Sequence, residues 1–199
     1  MNDATASTHH ADAEPFAWFQ VECSTPASDR PLPVQPFLRC AEDTLARIGT
    51  AHLSAVQILL PLQGLAPASR PRNALVPSMN TCAWFAEHNP QDLTPVMISV
   101  NSGRDPSISA VTQQLTSRLG SLEQGVFLPG RSGSTGDDDT PAPPFADEFW
   151  NGPPLHGMTL RGELAEWSCD AVGWLAATIA DSAAQLGVRT PLLLTVVRD

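Results

Sequence analysis

Apolar residues recur along this chain with two periods, near two and near three and a half. The switches between them predict three successive β-α-β units. In the first unit, Phe16-Ala-Trp-Phe-Gln-Val-Glu-Cys23 alternates, with Ala17, Phe19, Val21 and Cys23 on one side, and reads as a strand. Pro36 can open a helix because its missing N–H falls where no intrahelical acceptor exists. Phe37, Ala41, Leu45 and Ile48 supply an apolar stripe, Gly49 the stop, and Leu53–Leu60 the second strand.

The second unit joins a strand over Pro95–Asn101 to a helix started by Asp105-Pro106. Ile108, Val111, Leu115, Leu119 and Leu122 form its stripe, and a short strand, Gly125–Leu128, ends it. Cys82–Ala86 reads as an extra strand ahead of this unit. In the third unit, Met158, Leu160 and Leu164 alternate with Thr159, Arg161 and Glu163. A helix follows, with Ser168 as cap, Asp170 in the first turn, and Val172, Leu175, Ile179, Ala183 and Leu186 as the buried stripe. Gly187-Val188 fits a Schellman stop, and Pro191–Val197 closes the unit.

Together these elements predict an α+β fold. The first two units in series give a ferredoxin-like order, the third adds to them, and the helices line one face of a mixed sheet. The expected organisation is a disordered tail over 1–13, two β-α-β units over 14–129, a flexible acidic Gly/Pro-rich linker over 130–150, and the third unit over 151–199 packed on the same domain. Within the linker, Gly130 to Pro144 runs from Gly/Ser through Asp137-Asp138-Asp139 to prolines. Such a segment buries too little apolar area to offset its ordering entropy.

Composition narrows the chemistry. All eleven basic residues are Arg, and against twenty-one acids they leave a net charge of −10. A chain so acidic is repelled by a phosphate backbone or an anionic membrane, so neither is an expected partner. The absence of Lys fits drift in a GC-rich, bacterial genome and excludes a lysine Schiff base and a P-loop. With no Tyr, a tyrosine general acid is excluded as well. Met1–Glu14 carries neither a basic start nor an apolar run, so no signal peptide is expected. Cys23, Cys40, Cys82 and Cys169 form no C-x-x-C and are expected to be buried, free and inert in a reducing cytoplasm.

No motif fixes a reaction. His9, His10, His52, His88 and His156 show no metal-ligand spacing, and neither a metal nor a cofactor is expected. The Asp137–Asp139 run lies in the expected linker, where a solvated charge run is the simpler reading. Gly130-Arg-Ser-Gly-Ser134 misses the nucleophile elbow, its last glycine replaced by Ser134.

What remains is a surface. If the helices cover one side of the sheet, Trp18, Gln20 and Glu22 share the other side with Gln57, Arg161 and Glu163, because successive strand side chains point to opposite faces. Tryptophan, arginine and carboxylates on one face have the composition of an interface anchor. The leading expectation is therefore a cytoplasmic, non-catalytic interaction or assembly protein that self-associates through this open sheet face, as a homodimer or with another protein. The alternative is a small cofactor-independent enzyme or small-molecule binder with a pocket on that same face, His156 working with Glu163 and Glu22 beside Arg161. A third reading is an adaptor recognised through residues 130–144. Trp174, off its helix's main stripe, is a further candidate contact if exposed.

Overall fold

The computed structural model describes residues 17–21, 31–49, 53–67, 85, 93–122, 125–133, 143 and 145–199. Three helices and five strands form within them: α1 (Val34–Ala46), β1 (Ala55–Leu60), β2 (Thr94–Asn101), α2 (Ser107–Gly120), β3 (Phe127–Gly133), β4 (Gly157–Leu164), α3 (Cys169–Gln185) and β5 (Leu192–Arg198). One 3-10 turn, Asp147–Phe149, precedes β4. The fold is α+β.

The strands form one sheet in the order β1-β5-β2-β4-β3, and every neighbouring pair is antiparallel. This corrects the mixed sheet expected from consecutive β-α-β units. Both α2 and α3 connect strands that run the same way, yet each crossover steps over one strand. That intervening strand runs in the opposite direction, so no parallel pair arises.

The second and third units are present. In α2 the expected stripe is inward, with Ile108, Leu115 and Leu119 buried and Val111 and Leu122 packed against the core. The Asp105 carboxylate accepts the Ser107 N–H at 2.8 Å, holding the orphan donor at the helix start. In α3 the Ser168 hydroxyl caps by accepting the Ala171 N–H at 3.1 Å. The Schellman stop is complete: Gly187 has φ +94°, its N–H bonds Ala184 O, and Val188 N–H bonds Ala183 O. The stripe expected of α3 understates it, because all sixteen residues from Cys169 to Ala184 are buried. Trp174 is accordingly a core residue rather than an exposed contact.

The first unit differs. Residues 17–21 adopt no strand; Trp18, Phe19 and Val21 are exposed on both sides of the expected alternation. An alternating pattern becomes a strand only where a sheet buries one of its faces, and here none does. What stands in this region is α1 followed by β1, so the expected β-α-β-β-α-β run through the first two units does not form. The α1 stripe is Val34, Leu38 and Ala41, with Leu45 half-buried. Ile48, expected inside, lies past the helix end and is 74% exposed. Of Cys82–Ala86 only Phe85 is described, and it is helical rather than extended.

The region expected as a linker also differs at its ends. Strand β3 continues to Gly133, pairing Gly133 with Thr159 after a register shift between Pro129 and Ser132. At the far end the 3-10 turn leads into Trp150, which is buried. Residues 1–13 and 134–142 lie outside the described residues.

The main core lies between the sheet and the helices. Val96, Ile98 and Val100 of β2, Met158, Leu160 and Leu164 of β4, and Leu192, Leu194 and Val196 of β5 face the helices at 0–2% exposure. Helix α2 packs on β3 and β4, α3 on β1 and β5, and α1 along α3. No described helix is long and apolar enough to cross a membrane.

Candidate functional site

Cross-strand register fixes what lies opposite the helices. Gln57 of β1 faces Thr195 of β5, which faces Ser99 of β2, which faces Thr159 of β4. Four polar side chains thus form one line across the sheet, and the Gln57 amide donates to the Thr195 hydroxyl at 3.3 Å. Alongside runs a second line, Ala55, Val197, Met97 and Arg161. Gln57, Arg161 and Glu163 therefore do share a face, as the alternation predicts.

That face is not uniform. Leu193, Thr195 and Val197 of β5 and Ser99 and Asn101 of β2 are buried there. The exposed part runs from Pro95 at the start of β2 through Arg161 and Glu163 of β4 to Leu128 of β3, which is opposite Glu163 and 45% exposed. The Arg161 guanidinium pairs with Asp199 at 2.9 Å and lies 3.9 Å from the Met97 sulfur. An exposed arginine is thus laid across an apolar neighbour and flanked by two carboxylates.

Trp18 and Gln20 lie on a segment that is not a strand, so sheet alternation does not place them. The Trp18 ring meets Phe149 edge-on, centroids 6.2 Å apart, and Phe149 in turn meets Phe145 at 5.2 Å. Both Trp18 and Phe149 are half or more exposed, and sequence patterning missed this aromatic cluster because Phe149 lies in a 3-10 turn with no periodicity. Gln20 lies on the same non-strand segment, and Glu22 lies outside the described residues.

His156 is at the entrance to β4, as expected, but Glu163 is at the other end. Seven residues of extended chain separate them, about 23 Å. The His156 main chain is used structurally: its N–H bonds Gly103 O at 3.0 Å and its carbonyl accepts the Ser102 N–H at 2.9 Å. These bonds belong to a loop junction in which Arg104 N–H also bonds Asn151 O and Asn101 Oδ1 accepts the Gly103 N–H. Gly103 has φ +68° and Asn151 φ +106°.

A second charged cluster joins α1 to α3. The Asp170 carboxylate accepts the Gln35 amide at 3.1 Å and Arg39 Nε at 3.1 Å, with a further bond from Arg39 Nη2. Glu42 lies close by. Burial, and then the negative charges of Asp170, Asp43 and Glu166, push its carboxyl above the ordinary range, with Arg39 pulling the other way. A raised folded pKa means the protonated form favours the fold, and that contribution is lost as pH rises through the folded value. Glu42→Gln is expected to raise stability at neutral pH by under about 1 kcal/mol, solvent screening keeping the effect small. The gain should vanish well below pH 4.5, where both states are protonated. Thermal melts at the two pH values check this.

Burial pushes the Cys169 thiol up to about 12, with Glu42 and Asp170 adding to the effect. Cys169 is free and buried, as expected, whereas Cys40 is free but exposed, and Cys23 and Cys82 lie outside the described residues. Among the described residues no group of three His, Cys, Asp or Glu could hold a metal ion. One open depression is lined by Gln113, Gln114, Ser117, Arg118, Ser121 and Leu186, and none of the candidate site residues is among its lining. No family model, curated protein or solved structure matches this chain.

Proposed function

We propose that this protein is a non-catalytic interaction module that pairs with a second copy through the β3–β4 margin of the sheet face opposite α1, α2 and α3. We also infer that its six-element run β2-α2-β3-β4-α3-β5 is a ferredoxin-like sandwich, with α1 and β1 added in front. The observation that carries the first reading is the exposed Arg161 on Met97, with Glu163 two residues along the same face and Leu128 opposite it. Arginine and methionine are both enriched at protein interfaces relative to the rest of the surface. A two-fold axis through this margin brings the Arg161 of each copy to the other's Glu163, a self-complementary arrangement. Rigid strands hold these groups in place before contact, which lowers the ordering cost of association.

Light scattering coupled to size exclusion tests the reading. The expected mass at micromolar concentration is twice 21.2 kDa. Arg161→Glu puts a third carboxylate between Glu163 and Asp199 and should return the mass to one chain, with the circular dichroism spectrum unchanged. A wild-type chain that stays monomeric at those concentrations overturns the proposal.

A further inference from the structure

Helix α1 is attached differently from the rest of the fold. Among the described elements, its substantial packing is all with α3. It has no side-chain cap at its start, no acid in its first turn and no base in its last, so little within the helix itself favours the folded form. Thirteen residues is marginal for a helix in water without docking. By contrast, strands β2 to β5 with α2 and α3 carry a continuous core of their own, including Ile98, Ile108, Leu115, Leu160, Leu175 and Leu194 at 0–2% exposure.

What holds α1 down is local and partly polar. Val34, Leu38 and Ala41 supply its apolar contact. Gly173 lets the backbones approach closely, since a Cβ there would fall 2.5 Å from Gln35 Cα. Asp170, its side chain 13% exposed, is gripped by Gln35 and Arg39, while the Arg39 side chain is 51% exposed.

We propose that α1 is a detachable cover, latched to α3 through Asp170, that lifts while the sheet, α2 and α3 remain folded, baring the α3 start and Cys169. Cys169 is the first residue of α3, next to the latch, and is 7% exposed while α1 is down. Local openings of this kind have lower free energies than global unfolding and expose less surface. The Cys169 thiol thus reports on the latch without being its function.

The test is thiol labelling with an aromatic disulfide reagent, on the full chain with Cys23, Cys40 and Cys82 replaced by Ser. Cys169 should react through an opening whose urea dependence is clearly shallower than that of global unfolding followed by circular dichroism. Asp170→Asn should speed the reaction tenfold or more. Arg39→Ala, which removes a half-exposed side chain and carries little folding risk, should act in the same direction. If labelling of Cys169 shows the same urea dependence as global unfolding, or if Arg39→Ala leaves the labelling rate unchanged, the cover does not exist.

Discussion

Replacing Gly103 with Ala is expected to be the most damaging single-methyl change in the chain. The new Cβ would sit 1.9 Å from Asn151 O and 2.6 Å from its carbonyl carbon, backbone atoms with no rotamer by which to withdraw. The position also has φ +68°, where an L side chain is strained. Relief requires the β2–α2 loop to part from the segment before β4, breaking Arg104 N–H to Asn151 O and His156 N–H to Gly103 O. The cost is about 2–5 kcal/mol, combining the left-handed penalty with overpacking. Thermal melting should fall by roughly 10 °C for a domain of this size. A Tm within two or three degrees of wild type would mean that the junction yields without opening.

Leu175→Ala tests the other main support. Leu175 is fully buried near the middle of α3, the helix that both the sheet and α1 pack against. Truncation removes its transfer energy and leaves a cavity whose walls are tied to a sheet on one side and helices on others. The expected loss is about 3–4 kcal/mol, in the middle of the range for buried leucines. Urea titration should show a lower midpoint with an unchanged slope, because the folded state keeps its extent. A changed slope would instead indicate that α1 leaves with the mutation, tying this result to the latch at Asp170.

Much of this architecture is legible in the sequence where short-range chemistry decides it. The α3 cap, its glycine stop and the α2 stripe follow from hydrogen-bond valence and side-chain period alone. So does the division of β4 into Met158, Leu160 and Leu164 against Arg161 and Glu163. The failures are all matters of what an element meets. Residues 17–21 alternate well, but no sheet buries one of their faces, and Trp18 goes to Phe149 instead. Helix α3 has the periodicity of a one-sided helix, and its small residues, Ala176, Ala177, Ala180, Ala183 and Ala184, hide the fact that neighbours close on every side. The sheet is antiparallel because each crossover skips a strand, and skipping is a tertiary choice. For the candidate site, alternation places Gln57, Arg161 and Glu163 on one face. It could not show that β5 is buried there while β4 is exposed, nor that His156 and Glu163 stand at opposite ends of a strand.

The sixteen-residue buried stretch of α3 has a consequence for reading variation in this protein. In a helix with a wet side, tolerated substitutions rise and fall with each turn. Here no such rhythm is expected. A saturation screen of Cys169–Ala184 should return a flat band of intolerance, and a reader of that band alone could mistake a packing constraint for a catalytic segment.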